Sequence, residues 1–129
     1  MSRSMSLKAR ILVVASAAIA VVPFVPSPAQ AHRFNAASTI TINRQGSRYF
    51  GSIASARGQC QRNRSVTLYR TKNGRTRVAK RTTSNRNGNW SATARRRGRF
   101  HAVVSARTGG QYPHSHNCRG DRSPSIRRR

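Results

Sequence analysis

Short runs of alternating apolar and polar residues cover most of the chain after residue 38, and turn residues separate them. Alternation with a period of two marks a strand with one buried face. Thr39-Ile40-Thr41-Ile42 shows it first. Ser47–Ser55 places Tyr49, Gly51, Ile53 and Ser55 on one face, and Gly51 in that row predicts a bulge or a close backbone approach. Ser65–Arg70 sets Val66 and Leu68 inward and Thr67 and Tyr69 outward. Lys72-Asn73-Gly74 predicts a hairpin, because Asn and Gly tolerate positive φ. Thr76–Ser84 then runs back with Val78 as its chief apolar residue. The turn Asn85-Arg86-Asn87-Gly88 leads into Gly88–Ala94, where Trp90, Ala92 and Ala94 alternate. A charged turn, Arg95-Arg96-Arg97, precedes Gly98–Arg107, with Phe100, Ala102 and Val104 on one face. Pro124–Arg128 reads as a last short strand around Ile126. His32–Ser38 reads as an irregular lead-in, Thr108–Asn117 as a polar loop, and Asp121 as part of a turn.

No window beyond residue 31 has the apolar spacing of a helix, so none is expected there. About seven short strands with regular turns predict an all-β fold, a two-layer antiparallel β-sandwich. The expected core is Ile40, Ile42, Ile53, Val66, Leu68, Val78, Trp90, Phe100, Val104 and Ile126.

The first part of the chain follows another logic. Arg3, Lys8 and Arg10 precede an apolar run, Ile11–Val22, and then come Pro23, Pro26, Pro28 and Ala29-Gln30-Ala31. A charged start, a short apolar stretch and a small-residue site predict a secretory signal peptide over residues 1–31, forming a helix and cut between Ala31 and His32. Residues 32–129 are then one basic β-sandwich domain ending in a flexible C-terminal tail, secreted or held at the cell surface. Without cleavage the leader would anchor the chain in the membrane; a span needs about 20 apolar residues, and the prolines cut this run short. Cys60 and Cys118 are the only cysteines. An even count in an exported chain predicts a disulfide, and closing so long a loop stabilises by about 4 kcal/mol on the chain-entropy model.

Charge changes the picture most. Lys and Arg number 26 against one acid, and the formal net charge is +25. The exported part keeps all but Arg3, Lys8 and Arg10 of these, with Lys72 and Lys80 its only lysines. With Asp121 the single carboxylate side chain, the arginines are expected to be solvated or engaged by outside anions. Nucleic acid, anionic wall polymer, lipopolysaccharide and acidic lipid are the matching partners. The densest clusters are Arg95, Arg96, Arg97 and Arg99 on a turn, and Arg127, Arg128 and Arg129 on the tail. Tyr49, Tyr69 and Tyr112 are candidates for stacking on bases or sugars.

Several motifs together resemble one family pattern. They are Phe50-Gly51-Ser52-Ile53, Arg64-x-Val66-x-Leu68-Tyr69-Arg70, Thr83-x-Asn85-x-Asn87-Gly88-x-Trp90 and Gly98-Arg99-Phe100-x-Ala102, with Cys60 and Cys118. The pattern is similar to that of small secreted β-sandwiches of the carboxypeptidase-regulatory-like or prealbumin-like type, with Ig-like architecture. That resemblance spans about Tyr49 to Ile126 and implies a non-catalytic accessory or surface module.

Catalysis finds no support in the residues. Acid–base work needs paired carboxylates, and Asp121 is alone. There is no Gly-x-Ser-x-Gly elbow. A bridged cysteine is no nucleophile. The chain therefore reads as a non-enzymatic, monomeric binding protein without a cofactor. The rival reading is an exported copper or zinc protein using His114 and His116, with His101 on a nearby strand and His32 at the new N-terminus. A polar loop containing histidines is preferred, since no acid remains to orient the imidazoles. The exported form should begin at His32 by mass spectrometry; a full-length product retained in membranes would overturn the leader assignment.

Overall fold

The computed structural model describes Pro23, residues 33–111 and residues 114–129. The rest of the leader, the Ala31–His32 junction and Tyr112-Pro113 lie outside the described residues. The fold is all-β. Its strands are β1 (Arg33–Ala36), β2 (Ser38–Ile40), β3 (Asn43–Gln45), β4 (Arg48–Ser55), β5 (Ser65–Lys72) and β6 (Arg75–Thr83). Then follow β7 (Asn89–Thr93), β8 (Gly98–Val104), β9 (Arg107–Gln111), β10 (His114–Cys118), β11 (Asp121–Arg122) and β12 (Ile126–Arg128). A 3-10 turn, Gly58–Cys60, interrupts them.

Two antiparallel layers face each other. In one, β4 is central and pairs with β2, β3 and β7. In the other, the order is β11-β8-β5-β6, and β12 also pairs with β8. Ile40, Ile53 and Trp90 from the first layer close on Val66, Leu68, Phe100 and Val104 from the second. Tyr49 of β4 lies against Phe100 of β8, ring centroids 4.4 Å apart. Burial pushes the Tyr49 phenol above its usual pKa, against the pull of the Arg128 and Arg44 charges.

The turn chemistry holds as expected. Asn73 and Gly74 both take positive φ, which gives the β5–β6 hairpin the twist its strands require. Gly51 is a close-approach site: a Cβ there would collide with the Thr41 carbonyl. That carbonyl in turn accepts from the Trp90 indole at 3.2 Å, so the missing side chain lets the strands and the indole meet.

The sequence expectations need several corrections. The lead-in 32–38 contains β1, and the loop 108–117 forms β9 and β10, a small third sheet in which β1 runs parallel to β10. These segments are polar and glycine-rich, so strand pairing, not apolar periodicity, defines them. Thr39–Ile42 divides between β2 and the approach to β3, and Gly98–Arg107 ends at Val104. Asp121 sits in β11, not in a turn, and its carboxylate accepts the Ile40 amide at 2.8 Å. Arg127 and Arg128 are in β12, paired with Arg99 and Gly98, rather than on a tail. Val78 is 43 % exposed. The register along β5–β6 slips between Leu68 and Tyr69, so that Leu68 pairs with Lys80 and Tyr69 with Val78, leaving Ala79 as the extra residue of a bulge. Val78 is thereby turned to the outer face. Tyr49, Ala92 and Ala102 complete the core, and Ile126 only packs against it.

Cys60 and Cys118 form the disulfide, 58 residues apart in sequence and fully buried with Ala36. Beside it lies Arg64, also fully buried. Its guanidinium donates to the Ser38 hydroxyl at 2.9 Å and to the carbonyls of Cys60, Ser105 and Arg119 at 2.6, 2.8 and 3.0 Å. Burial and, less so, the Arg107 charge lower its pKa, yet a guanidinium starts high enough to stay cationic. Arg64→Met keeps the aliphatic stem and orphans four acceptors. It should cost about 3 kcal/mol or more by denaturant unfolding; a loss no larger than that of an exposed arginine would show that the cage contributes little.

Candidate functional site

Strand β5 leads from Arg64 to Lys72, and the two ends of the sandwich differ accordingly. At the Lys72 end the predicted arginine clusters meet. The Arg95–Arg97 turn joins β7 to β8, Arg99 lies on β8, and Arg127 opposes it on β12. Arg97, Arg99, Arg127, Arg128 and Arg129 border a groove of about 530 Å³ together with Lys72 and the Asn73-Gly74 turn. Arg95 and Arg96 line a second groove of about 510 Å³ between β6 and the end of β7, with Arg70, Arg77 and Lys80. Arg70 Nε donates to the Arg97 carbonyl at 2.6 Å and ties the wall between the grooves. Arg128 reaches across the layers to the Ala94 carbonyl, also at 2.6 Å.

This end carries its charge uncompensated by side chains. Arg127 faces Arg99 across the ladder, and Arg70 faces Arg77; like charges directly opposite repel. Asp121 serves the Ile40 amide instead. Forked guanidinium donors at this density suit phosphate, sulfate or carboxylate oxygens.

A second arrangement occupies the outer face of the β5-containing sheet. Tyr69 and His101 are cross-strand partners, and their rings stack at 5.2 Å and 14°. The alternation of β8 predicts this placement, since His101 falls between the inward Phe100 and Ala102. Its burial and pairing are not readable from one strand. Burial, then the Arg122 charge, lowers the His101 pKa. Tyr49, in contrast, is core, and Tyr112 lies outside the described residues.

His116 is on β10, stacked on Phe34 at 5.6 Å, with the Arg57 guanidinium 4.6 Å from the same phenyl ring. A Cβ on Gly109 would lie 2.5 Å from His116 Nε2, so the imidazole rests on that glycine. His114 begins the same strand, its side chain is outside the described residues, and His101 belongs to another sheet. Among the described residues no three His, Cys, Asp or Glu side chains gather as a metal cluster. Arg107 donates to the carbonyls of Gln59, Arg62 and Asn63 and so belongs to the disulfide end.

No family model, no curated protein and no solved structure matches the chain.

The lowered His101 pKa sets a pH dependence. The unfolded chain takes up this proton more readily, so the stability is intact above the usual histidine value of about 6.5 and is lost as pH falls through the lower folded value. The melting temperature should therefore drop on acidification, and His101→Phe, which keeps a stacking ring, should shallow that drop. Parallel wild-type and variant curves would refute it.

Proposed function

We propose that the chain is a small exported, non-catalytic protein that binds anionic polymers through its arginine-lined end. The observation that carries this reading is the convergence of Arg97, Arg99, Arg127, Arg128 and Arg129 with Lys72 on one groove. They come from a turn, from the strands β5, β8 and β12 and from the residue after β12, and the only carboxylate side chain is committed elsewhere. The resemblance to carboxypeptidase-regulatory-like and prealbumin-like modules with Ig-like architecture agrees, since it implies an accessory surface domain. The leader pattern agrees with work outside the cell. Strong positive potential attracts polyanions irrespective of their sequence, and each phosphate neutralised on a duplex releases condensed counterions.

Salt titration tests it. Duplex DNA, heparin and an anionic wall polymer should all bind and all weaken steeply with salt. Replacing the exposed Arg97, Arg99 and Arg129 with Ser should weaken the three ligands alike. On duplex DNA it should also flatten the log–log salt slope by about 0.9 for each phosphate that is no longer neutralised. Salt-resistant preference for one ligand, unaffected by these changes, would overturn the proposal.

A further inference from the structure

The outer face of the β5-containing sheet holds a feature that polyanion attraction alone does not require. Val78 is 43 % exposed; the Ala79 bulge sets it opposite the outward Tyr69, and it also borders the groove of Arg95 and Arg96. Bulges often re-aim a side chain beside a functional site. Here the re-aimed valine stands next to Tyr69. The other side of the Tyr69 ring is already taken by His101. Tyr69 is only half-buried, so part of its ring stays accessible beside the exposed valine. In the row Val78–Tyr69–His101, Tyr69 is thus stacked on His101 on one side and bordered by Val78 on the other.

Arginines flank that row on the same face. Arg81 pairs with Thr67, and Arg99 pairs with Thr71, the outward residues on either side of Tyr69. Arg127 lies opposite Arg99, and Arg122 opposite Val103. Asp121 pairs with the inward Val104 and takes no part.

We infer that this face binds single-stranded nucleic acid, with one base stacked on Tyr69 over Val78 and the flanking phosphates on Arg81 and Arg99. The aromatic ring accepts any base, because every base has a π-face. A duplex cannot use it, since its bases are stacked on both sides. The inference rests on the polyanion reading, because Arg99 and Arg127 serve both. It adds a preference for strandedness that charge alone does not produce.

Fluorescence anisotropy on the purified chain tests it with three probes: oligothymidine of about 12 nucleotides, a duplex with the same number of phosphates, and heparin. The single strand should bind tighter than the duplex at equal salt. Tyr69→Leu should weaken oligothymidine about tenfold, the share of one stacked base. It should leave duplex and heparin unchanged, and Tyr69→Phe should restore the loss. In the unmodified chain, a bromouracil-substituted strand should photocrosslink at Tyr69, which needs no variant to fold. Equal binding of single strand and duplex with no crosslink at Tyr69 overturns the inference while leaving the polyanion reading in place. So does an equal weakening of heparin by Tyr69→Leu. Failure to bind any of the three probes removes both.

Discussion

A buried cation without a carboxylate governs this fold. Arg64 is fully enclosed; three backbone carbonyls and one serine hydroxyl receive the protons of its two terminal nitrogens, and only Nε is left without a partner among the described residues. Taking a charge out of water costs several kcal/mol unless its donors are matched. A chain with one acid cannot match them with ion pairs. It uses peptide dipoles instead, and each dipole belongs to a different part of the structure. Ser38 opens β2, Cys60 is one half of the disulfide, Arg119 follows the other half, and Ser105 follows β8. One guanidinium therefore fixes four segments that are distant in sequence. The disulfide does the same work covalently at the same place, by restricting the unfolded chain.

Concentrating covalent and buried-polar restraint at one end has consequences for the other. Net charge far from zero repels itself and weakens the compact state. At the Lys72 end the arginines face each other across β8–β12 and β5–β6. Two of them, Arg70 and Arg128, are tied down on carbonyls of the Arg95–Arg97 turn region, as Arg64 is at the far end. The rest present donors to solvent. Anything that binds the folded form alone stabilises it by mass action, so an anion at this end would relieve the repulsion that the carbonyls leave uncorrected.

Much of the fold was legible because turns and alternation are local signals. Asn73-Gly74 and the row Val66–Leu68 announced the β5–β6 hairpin, and Gly51 announced its own close contact. What was hidden depends on partners. The strands β9 and β10 carry no apolar alternation and exist through pairing with each other and with β1. Val78 followed the period faithfully, and only a one-residue slip against β5 moved it outward. Arg64 resembled every other arginine in the chain; nothing in its neighbours showed that four acceptors would surround it. The arginine clusters were visible as runs, whereas their meeting required β12 to fold back beside β8.

Strand β5 connects these observations. It begins next to the Arg64 cage and ends at Lys72 among the exposed arginines. Val66 and Leu68 lie on its inner face against Val104 and Ala102 of β8, so it is fixed by the core as well as by the cage. Tyr69 lies on its outer face, paired on one side with buried His101 and on the other with exposed Val78. A side chain on a central, well-packed strand keeps its orientation better than one on a loop. The ring is thus held on a packed strand, while the charges around it are among the least compensated. A base bound as proposed would therefore meet a fixed aromatic edge within a solvated cationic fringe.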